Sequence, residues 1–334
     1  MQNLPDVSRL SSRVVRILAQ NPGTMTLSGT NCYLLSHGAG PDITLVDTGS
    51  PSPSAPAFIR LLSEHLRTTG GIIRHIVLTH HHIDHVGGLE SVLASIRSSG
   101  APQPKVHKFK TPNPGSLRPS RSVVSDEDLE ASVRAHSRTD VVINWLEAGD
   151  LIGAIESHGL KRLRVLHTPG HTSDSISLLL EETGELFVGD TILGTGSTVI
   201  NDMGSYMHSL HQLQSQGAKV LYPGHGPHIE TPEAVATKIT EYIDHRLQRD
   251  AQIIQSLERN QQGSTAAKLV ESIYPDLPER AVLAAEQSIL AHLSKLEEDG
   301  RVTSTPVLNQ DGRLWSLSFE AVGQTRNPNN IIQG

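Results

Sequence analysis

The sequence predicts a layered α/β fold with mixed sheets, followed by a helical C-terminal part. Three observations carry this. Short apolar, β-rich runs punctuated by Gly, Pro, Asn and Asp fill the chain from Val14 to about Leu221. Some of these runs are joined by hairpin-length turns and others by segments of helical spacing, which disfavours a doubly wound parallel sheet. After His225 the texture changes to long helices. The 334 residues suffice for one large domain or about two. The change of texture divides the chain into units 1–230 and 231–334.

The elements follow in order. Arg9, Arg13 and Arg16 lie among serines with Asp6 as the only acid, and this stretch reads as an opening tail rather than a cleaved leader. Val14 to Leu18 is the first strand, halted by Asn21-Pro22-Gly23. Cys32–Leu35 and Ile43–Val46 are strands around the turn His37-Gly38-Ala39-Gly40-Pro41. Phe58, Ile59, Leu62 and Leu66 recur at helical spacing, with Pro56 suited to a first turn, so Pro56 to Leu66 is a helix. Ile72 to Leu78 is a strand, and Leu89 to Ile96 a helix. Lys108 to Thr139 carries Pro112, Pro114 and Pro119 with mixed charge, and reads as a surface excursion with a short helix near Asp126 to His136. Strand signals resume at Val141–Trp145, Leu151–Ile155, Leu163–Leu166, Ser175–Leu180, Leu186–Val188 and around Val220. Pro232 to about Glu258 is a long charged helix with the stripe Ile239, Ile243, Leu247, Ile254 and Leu257. Helices Thr265–Tyr274 and Arg280–Asp299 precede two β-runs, Arg301–Leu308 and Leu314–Phe319, around Asn309-Gln310-Asp311-Gly312. That is the order of a winged-helix module. Its recognition-helix candidate sets Glu286, Glu297, Glu298 and Asp299 against Arg280 and Lys295, so packing is expected of it rather than DNA binding.

Composition narrows the chemistry. Lys+Arg number 28 and Asp+Glu 35, so a net charge of −7 does not attract polyanions. No segment approaches the ~18 uncharged apolar residues of a membrane span, and a cytoplasmic location is expected, with mitochondria as the alternative. A single cysteine, Cys32, excludes an internal disulfide framework and a multi-thiolate zinc site. It reads as a small buried thiol. Against it stand 18 histidines, so any metal is held by imidazole and carboxylate. There is no G-x-S-x-G elbow, P-loop or G-x-G-x-x-G, which argues against a serine hydrolase and a nucleotide cofactor.

The strongest feature is Thr79-His80-His81-His82-Ile83-Asp84-His85, between a strand and Val86-Gly87-Gly88. In extended chain, residues two apart project to one side, so His80, His82 and Asp84 converge while His85 turns to an adjacent point. His81 then points away. Imidazole and carboxylate are the ligands zinc accepts when thiolate is absent. His171 in Pro169-Gly170-His171-Thr172, Asp190 after Val188-Gly189 and His225 in Gly224-His225-Gly226 complete a two-metal set. Each follows a strand and is flanked by glycine, where loops gather on one edge of a sheet. The other histidines, His37, His65, His75, His107, His136 and His158, read as turn or helix residues. No metal role is given to His208, His211 or His228.

This order of motifs, with Asp47-Thr48-Gly49 before it, resembles the metallo-β-lactamase superfamily. The resemblance covers roughly Val14 to Gly226 and implies an αββα sandwich, two mixed sheets with helices outside, extended by the winged-helix-like C-terminal part. It implies two zinc ions per chain, one on His80, His82 and His171, the other on Asp84, His85 and His225, with Asp190 bridging. The Asn21-Pro22-Gly23 and Thr26-Leu27-Ser28-Gly29-Thr30-Asn31-Cys32-Tyr33-Leu34 stretches, with His245-Arg246, resemble two groups within the superfamily. One is the fungal thioesterases that free aromatic polyketides from the acyl carrier protein of a non-reducing polyketide synthase. The other is the mitochondrial endoribonucleases that cut single-stranded RNA. The Pro-rich insertion and the length match the fungal group better. In the mechanism so implied, two metals roughly 3.5–4 Å apart lower the pKa of a shared water toward ~7, and Asp84 takes and returns a proton.

Overall fold

The computed structural model describes residues 3–38, 40–112, 122–136, 143–153, 162–306 and 312–318. Strands β1 (Val7–Arg9), β2 (Val14–Leu18), β3 (Asn31–Ser36) and β4 (Asp42–Val46) run antiparallel in sequence order. A parallel continuation needs crossovers, which helix α1 (Ala55–Thr69) supplies before β5 (Ile72–Leu78). Helices α2 (Ile83–Val86) and α3 (Leu89–Ser98) then lead to β6 (Lys105–Phe109), and α4 (Asp126–His136) to β7 (Asn144–Leu146). Among the described residues this is a seven-stranded mixed sheet.

A second sheet has the order β12-β11-β10-β9-β8, made of β8 (Leu151–Ile152), β9 (Leu163–His167), β10 (Ile176–Leu180), β11 (Glu185–Gly189) and β12 (Val220–Pro223). Among the described residues of this sheet only β11 and β12 pair in parallel, and helix α5 (Met203–Ser215) crosses between them.

Strand periodicity sorts the core into layers. Ile43, Leu45, Ile76 and Leu78 face α1 and α3, where Phe58, Leu62, Val92 and Leu93 cover them. The opposite residues, Tyr33, Leu35, Val46 and Val77, pack between the sheets against Val165, Leu178, Phe187 and Tyr222. The far face of the second sheet, with Leu186, Val188 and Leu221, is covered by Tyr206 and Leu210 of α5 and by Val235, Ile239 and Ile243 of α6 (Pro232–Arg259). These layers form an αββα sandwich, as the motifs implied. Each fully buried Leu, Ile or Phe contributes roughly 1.5–3 kcal/mol relative to exposure.

Helix α6 continues past the sandwich. Its later residues Ile253 and Leu257 join Leu269 of α7 (Ala266–Ile273), Ile289 and Leu293 of α8 (Glu279–Glu298), Val302 of β13 (Val302–Pro306) and Trp315 of β14 (Arg313–Leu317). The two strands form the expected antiparallel hairpin.

Four expectations are corrected. The residues from Lys108 do not begin a surface excursion: Lys108 and Phe109 end β6, and Lys108 is fully buried, because ion pairs rather than apolar contacts hold it there. Helix α5 has no counterpart in the sequence reading, since its mixed Ser, His and Gln positions blur the period; Asp202 caps it by accepting from Ser205 N. Leu247 is 48% exposed, and the buried face of α6 instead includes Arg246 and Asp250. The opening tail contains β1, paired through Ser8 and Arg16. Ala39, Pro114, Pro119, Val141, Ile155, His158, the 309–311 turn and Phe319 lie outside the described residues.

Candidate metal centre

The strand ends bring the seven predicted residues together. After β5 the chain stays extended, with His82 at φ −69°, ψ 140° as the residue before α2. His80 and His82 therefore project to one side, with His80 Nε2 and His82 Nδ1 3.1 Å apart. The turn after β9 brings His171 Nε2 to 3.0 Å from the same His82 Nδ1. Asp84 does not continue the extended alternation of His80 and His82 as expected: α2 begins at Ile83, and its one turn swings Asp84 and His85 together toward His225, which follows β12. There His225 Nε2 lies 3.1 Å from Asp84 Oδ2 and 3.2 Å from His85 Nε2. Asp190, at the end of β11, lies between the two groups. Its Oδ1 is 3.4 Å from His85 Nε2, and its Oδ2 is 3.3 Å from His225 Nε2 and 3.7 Å from His171 Nε2.

The donor set fits metal. Three of the imidazoles have their outward nitrogen bound to an oxygen: His80 Nδ1 to Thr79 Oγ1 at 3.0 Å, His85 Nδ1 to Asp47 Oδ2 at 2.7 Å, and His171 Nδ1 to Val199 O at 2.7 Å. A proton held outward leaves the inward lone pair free, the usual arrangement of a ligating histidine. Among the described residues, Asp190 Oδ1 and His225 Nδ1 are buried without a hydrogen-bond partner. Among the described residues, three groups of ligand atoms converge closely enough for an ion: His80, His82 and His171; His80, His85 and Asp190; and Asp84, His85 and His225.

The two halves differ electrostatically. Burial, with repulsion from neighbouring imidazoles, keeps His80 and His171 below the ordinary histidine value and pushes His82 down to about 3. These three are neutral at pH 7 and ready to ligate. In the other half burial also works against charge, but the Asp190 and Asp84 carboxylates outweigh it, raising His85 and lifting His225 to about 9. Burial would raise Asp84 and Asp190, yet the facing imidazoles hold both below the usual carboxylate range. Without metal this half is a set of imidazolium–carboxylate pairs, and a cation entering it must displace protons.

Supporting residues explain the rigidity. Asp47 sits at φ 61°, turning its carboxylate back under β5. It accepts from Thr79 N and Thr79 Oγ1, both at 2.8 Å, as well as facing His85. The sequence marked Asp47 as part of a motif but offered no role for it. Two glycines are required by space. A Cβ on Gly224 would meet Asp190 Oδ1 at 2.3 Å, and one on Gly88 would meet Thr48 O at 2.1 Å. Thr30 Oγ1 reaches Asp84 Oδ2 at 3.4 Å, and Asn21 holds Thr30 through Nδ2 at 3.0 Å and Oδ1 at 2.9 Å.

His81 points away from the ligands, with Nδ1 2.8 Å from Asp174 Oδ1. Cys32 is fully buried and its thiol is pushed up by burial, as expected of an inert thiol. His228 pairs with Glu230 at 2.8 Å; His75 and His107, expected on turns or helices, instead lie on the adjacent strands β5 and β6, where their rings bond each other at 2.9 Å. Arg246, half of the His245-Arg246 pair, donates to Ser197 Oγ at 2.5 Å beneath the loop whose Val199 carbonyl orients His171. Sequence reasoning placed Thr79 at the head of the ligand motif without a role, and missed Lys108, Asp126 and Asp174, whose local strand, helix and turn patterns do not distinguish them.

Comparison with known proteins places the fold. The Metallo-beta-lactamase superfamily pattern matches residues 25–225, and the Beta-lactamase associated winged helix domain matches residues 265–313. The chain is 35% identical over 302 residues to the Beta-lactamase-like protein 2 homolog of Caenorhabditis elegans, covering 90% of each. It is 32% identical over 311 residues to the Atrochrysone carboxyl ACP thioesterase of Passalora fulva, covering 90% of this chain and 80% of that protein. Among solved structures, a beta-lactamase domain protein from Burkholderia ambifaria shares the fold with a TM-score of 0.71 at 20% identity, over 95% of this chain and 96% of that one. With its metal-binding His/Asp clusters at the strand ends of an αββα sandwich and its appended winged helix, the chain belongs to the metallo-β-lactamase superfamily.

Proposed function

We propose that the protein is a zinc-dependent thioesterase that frees an aromatic polyketide acyl group from the acyl carrier protein of a polyketide synthase. The observation that carries the chemistry is the convergence of His80, His82, Asp84, His85, His171, Asp190 and His225. The 32% identity to a carrier-protein thioesterase over 90% of the chain supports the substrate class. His80, His82 and His171 would hold one zinc and Asp84, His85 and His225 a second, with Asp190 shared. Zinc bound there acts as a Lewis acid and lowers the pKa of water toward ~7.

The chain's own residues divide the remaining work. Asp84 is the most accessible of the carboxylates, 22% exposed against 11% for Asp190, and holds its charge at neutral pH. It takes the proton of the attacking water and returns it to the departing sulfur as the C–S bond breaks. Thr30 keeps the Asp84 carboxylate oriented. We place the boundary between the two units at residue 230, before α6, with Val235, Ile239 and Ile243 of that helix still packing on the second sheet, and a cytoplasmic location is in keeping with this role.

The test is incubation of purified full-length protein with a carrier-bound aromatic acyl thioester and, separately, with single-stranded RNA. Zinc-dependent release of free acid with intact RNA supports the proposal. Cleaved RNA with an untouched thioester assigns the same metals to phosphodiester hydrolysis and overturns it.

A further inference from the structure

A second buried polar network adjoins the metal ligands without belonging to them. Lys108, at the end of β6, is fully buried. Its Nζ lies 2.6 Å from Asp174 Oδ2 and 2.9 Å from Asp126 Oδ1, and donates to Phe109 O at 2.9 Å and Thr111 Oγ1 at 3.3 Å. Asp174 uses its other oxygen to accept from Thr172 Oγ1 at 2.7 Å and to face His81 Nδ1 at 2.8 Å. Asp126 also accepts from Thr111 N at 2.8 Å and Thr111 Oγ1 at 2.9 Å. Taking an ammonium out of water is costly, and two buried carboxylates compensate only when all three groups are held in fixed positions. The network is therefore stiff by necessity.

Its ends touch the ligand-bearing segments. His81 stands between His80 and His82, and Thr172 directly follows His171. On the Asp126 side, the chain entering α4 runs along the same ligand loop: Val124 N donates to His81 O at 3.0 Å, and Ile83 N donates to Ser122 O at 2.8 Å. One ammonium thus joins the loop carrying His80 and His82, the turn carrying His171 and the start of α4.

We propose that Lys108 is a positioning residue of the metal centre. Through Asp174 it sets the distance between the His81 segment and the Thr172 turn, and so the spacing at which His80 Nε2, His82 Nδ1 and His171 Nε2 meet. This rests on the metal-binding reading of those three histidines. A merely structural ion pair would stabilise the fold without changing how tightly the folded protein holds zinc. A positioning residue changes that affinity, by about 10–100-fold when an outer partner of a ligand is lost.

The experiment titrates zinc against a chromophoric chelator with full-length wild type, Lys108→Met and Leu62→Ala, alongside thermal unfolding of each metal-free protein. Leu62, in the α1 core, destabilises the sandwich away from the network when truncated. Lys108→Met is expected to weaken zinc binding per folded molecule by up to about 10-fold, the lower end of the loss for a direct partner of a ligand, while Leu62→Ala lowers the unfolding temperature and leaves affinity unchanged. Asp174→Asn keeps the shape and removes one anchoring charge, so it serves if Lys108→Met does not fold, with a loss in the same direction. A folded Lys108→Met or Asp174→Asn protein with wild-type zinc affinity overturns the proposal. So does a Leu62→Ala control that loses affinity in step with stability. Failure of the wild type itself to bind zinc would instead overturn the metal-binding reading beneath it.

Discussion

Asp47→Asn tests how the ligand histidines are set. The substitution keeps size and shape, and Asn tolerates the positive φ that this position requires. What changes is the pattern of hydrogens. In the wild type Oδ1 accepts from Thr79 N, while Oδ2 accepts from Thr79 Oγ1 and faces His85 Nδ1 at 2.7 Å. If the new amide nitrogen takes the Oδ2 place, it donates to His85 Nδ1, and the imidazole proton moves to Nε2, the atom that must ligate. The Thr79 hydroxyl reverses as well, turning toward His80 Nδ1 at 3.0 Å and pressing the same wrong tautomer on His80. If the amide instead takes the Oδ1 place, it opposes the Thr79 N–H, donor to donor. The second orientation leaves a buried donor–donor mismatch of about 1–3 kcal/mol in the folded protein, and the first removes a carboxylate that favours the charged form of His85. Losing an outer partner of a ligating histidine typically weakens metal binding 10–100-fold, or about 1.4–2.7 kcal/mol. Zinc titration against a competing chelator at neutral pH should show that loss, alongside a lower melting temperature of the metal-free protein. An Asp47→Asn protein with wild-type zinc affinity would refute the tautomer argument.

Other outcomes follow from the same geometry. Elemental analysis of purified protein should return close to two metal equivalents per chain, reduced by His82→Ala; one equivalent unchanged by that substitution would contradict a binuclear site. Asp84→Asn should lower thioester turnover by about 10²–10⁴-fold through loss of the acid/base group, with carrier-protein affinity within a few-fold of wild type; a variant that has lost its second metal yet retains turnover would place the chemistry on one ion. His225 has its folded pKa raised to about 9 from an ordinary 6.5, so in metal-free protein it contributes stability that is complete below about pH 6.5 and lost as pH rises through about 9. Melting temperatures of chelated protein should fall across that window and those of zinc-loaded protein should not follow, while calorimetry in buffers of different ionisation enthalpy should show proton release on zinc binding near neutral pH. The full-length protein should show no salt-sensitive affinity for duplex DNA, since α8 carries Glu286, Glu297 and Glu298; a steep salt slope would contradict this.

Much of this protein is legible before folding is considered. Ligand chemistry is local. His80, His82, Asp84 and His85 lie within one strand-to-helix junction, and the two-residue period of extended chain alone aims His80 and His82 to one side. Strands such as Val14–Leu18 and Ile72–Leu78 were readable because apolar β-branched runs end at clear punctuation. Helix α5 was not, since its buried face alternates Met, Tyr and Ser with outward His and Gln, a weak contrast in any window. What only the tertiary structure decided is everything that depends on pairs distant in sequence. Lys108 looks like a surface residue until Asp126 arrives at the start of α4 and Asp174 in the turn between β9 and β10 of the other sheet. Asp47 has a role only once β4 and β5 lie side by side and its carboxylate meets Thr79 and His85. A side chain's charge and hydrogen-bonding capacity are written in the sequence, whereas its partners, and therefore its protonation and its purpose, are set by which strands the fold places together.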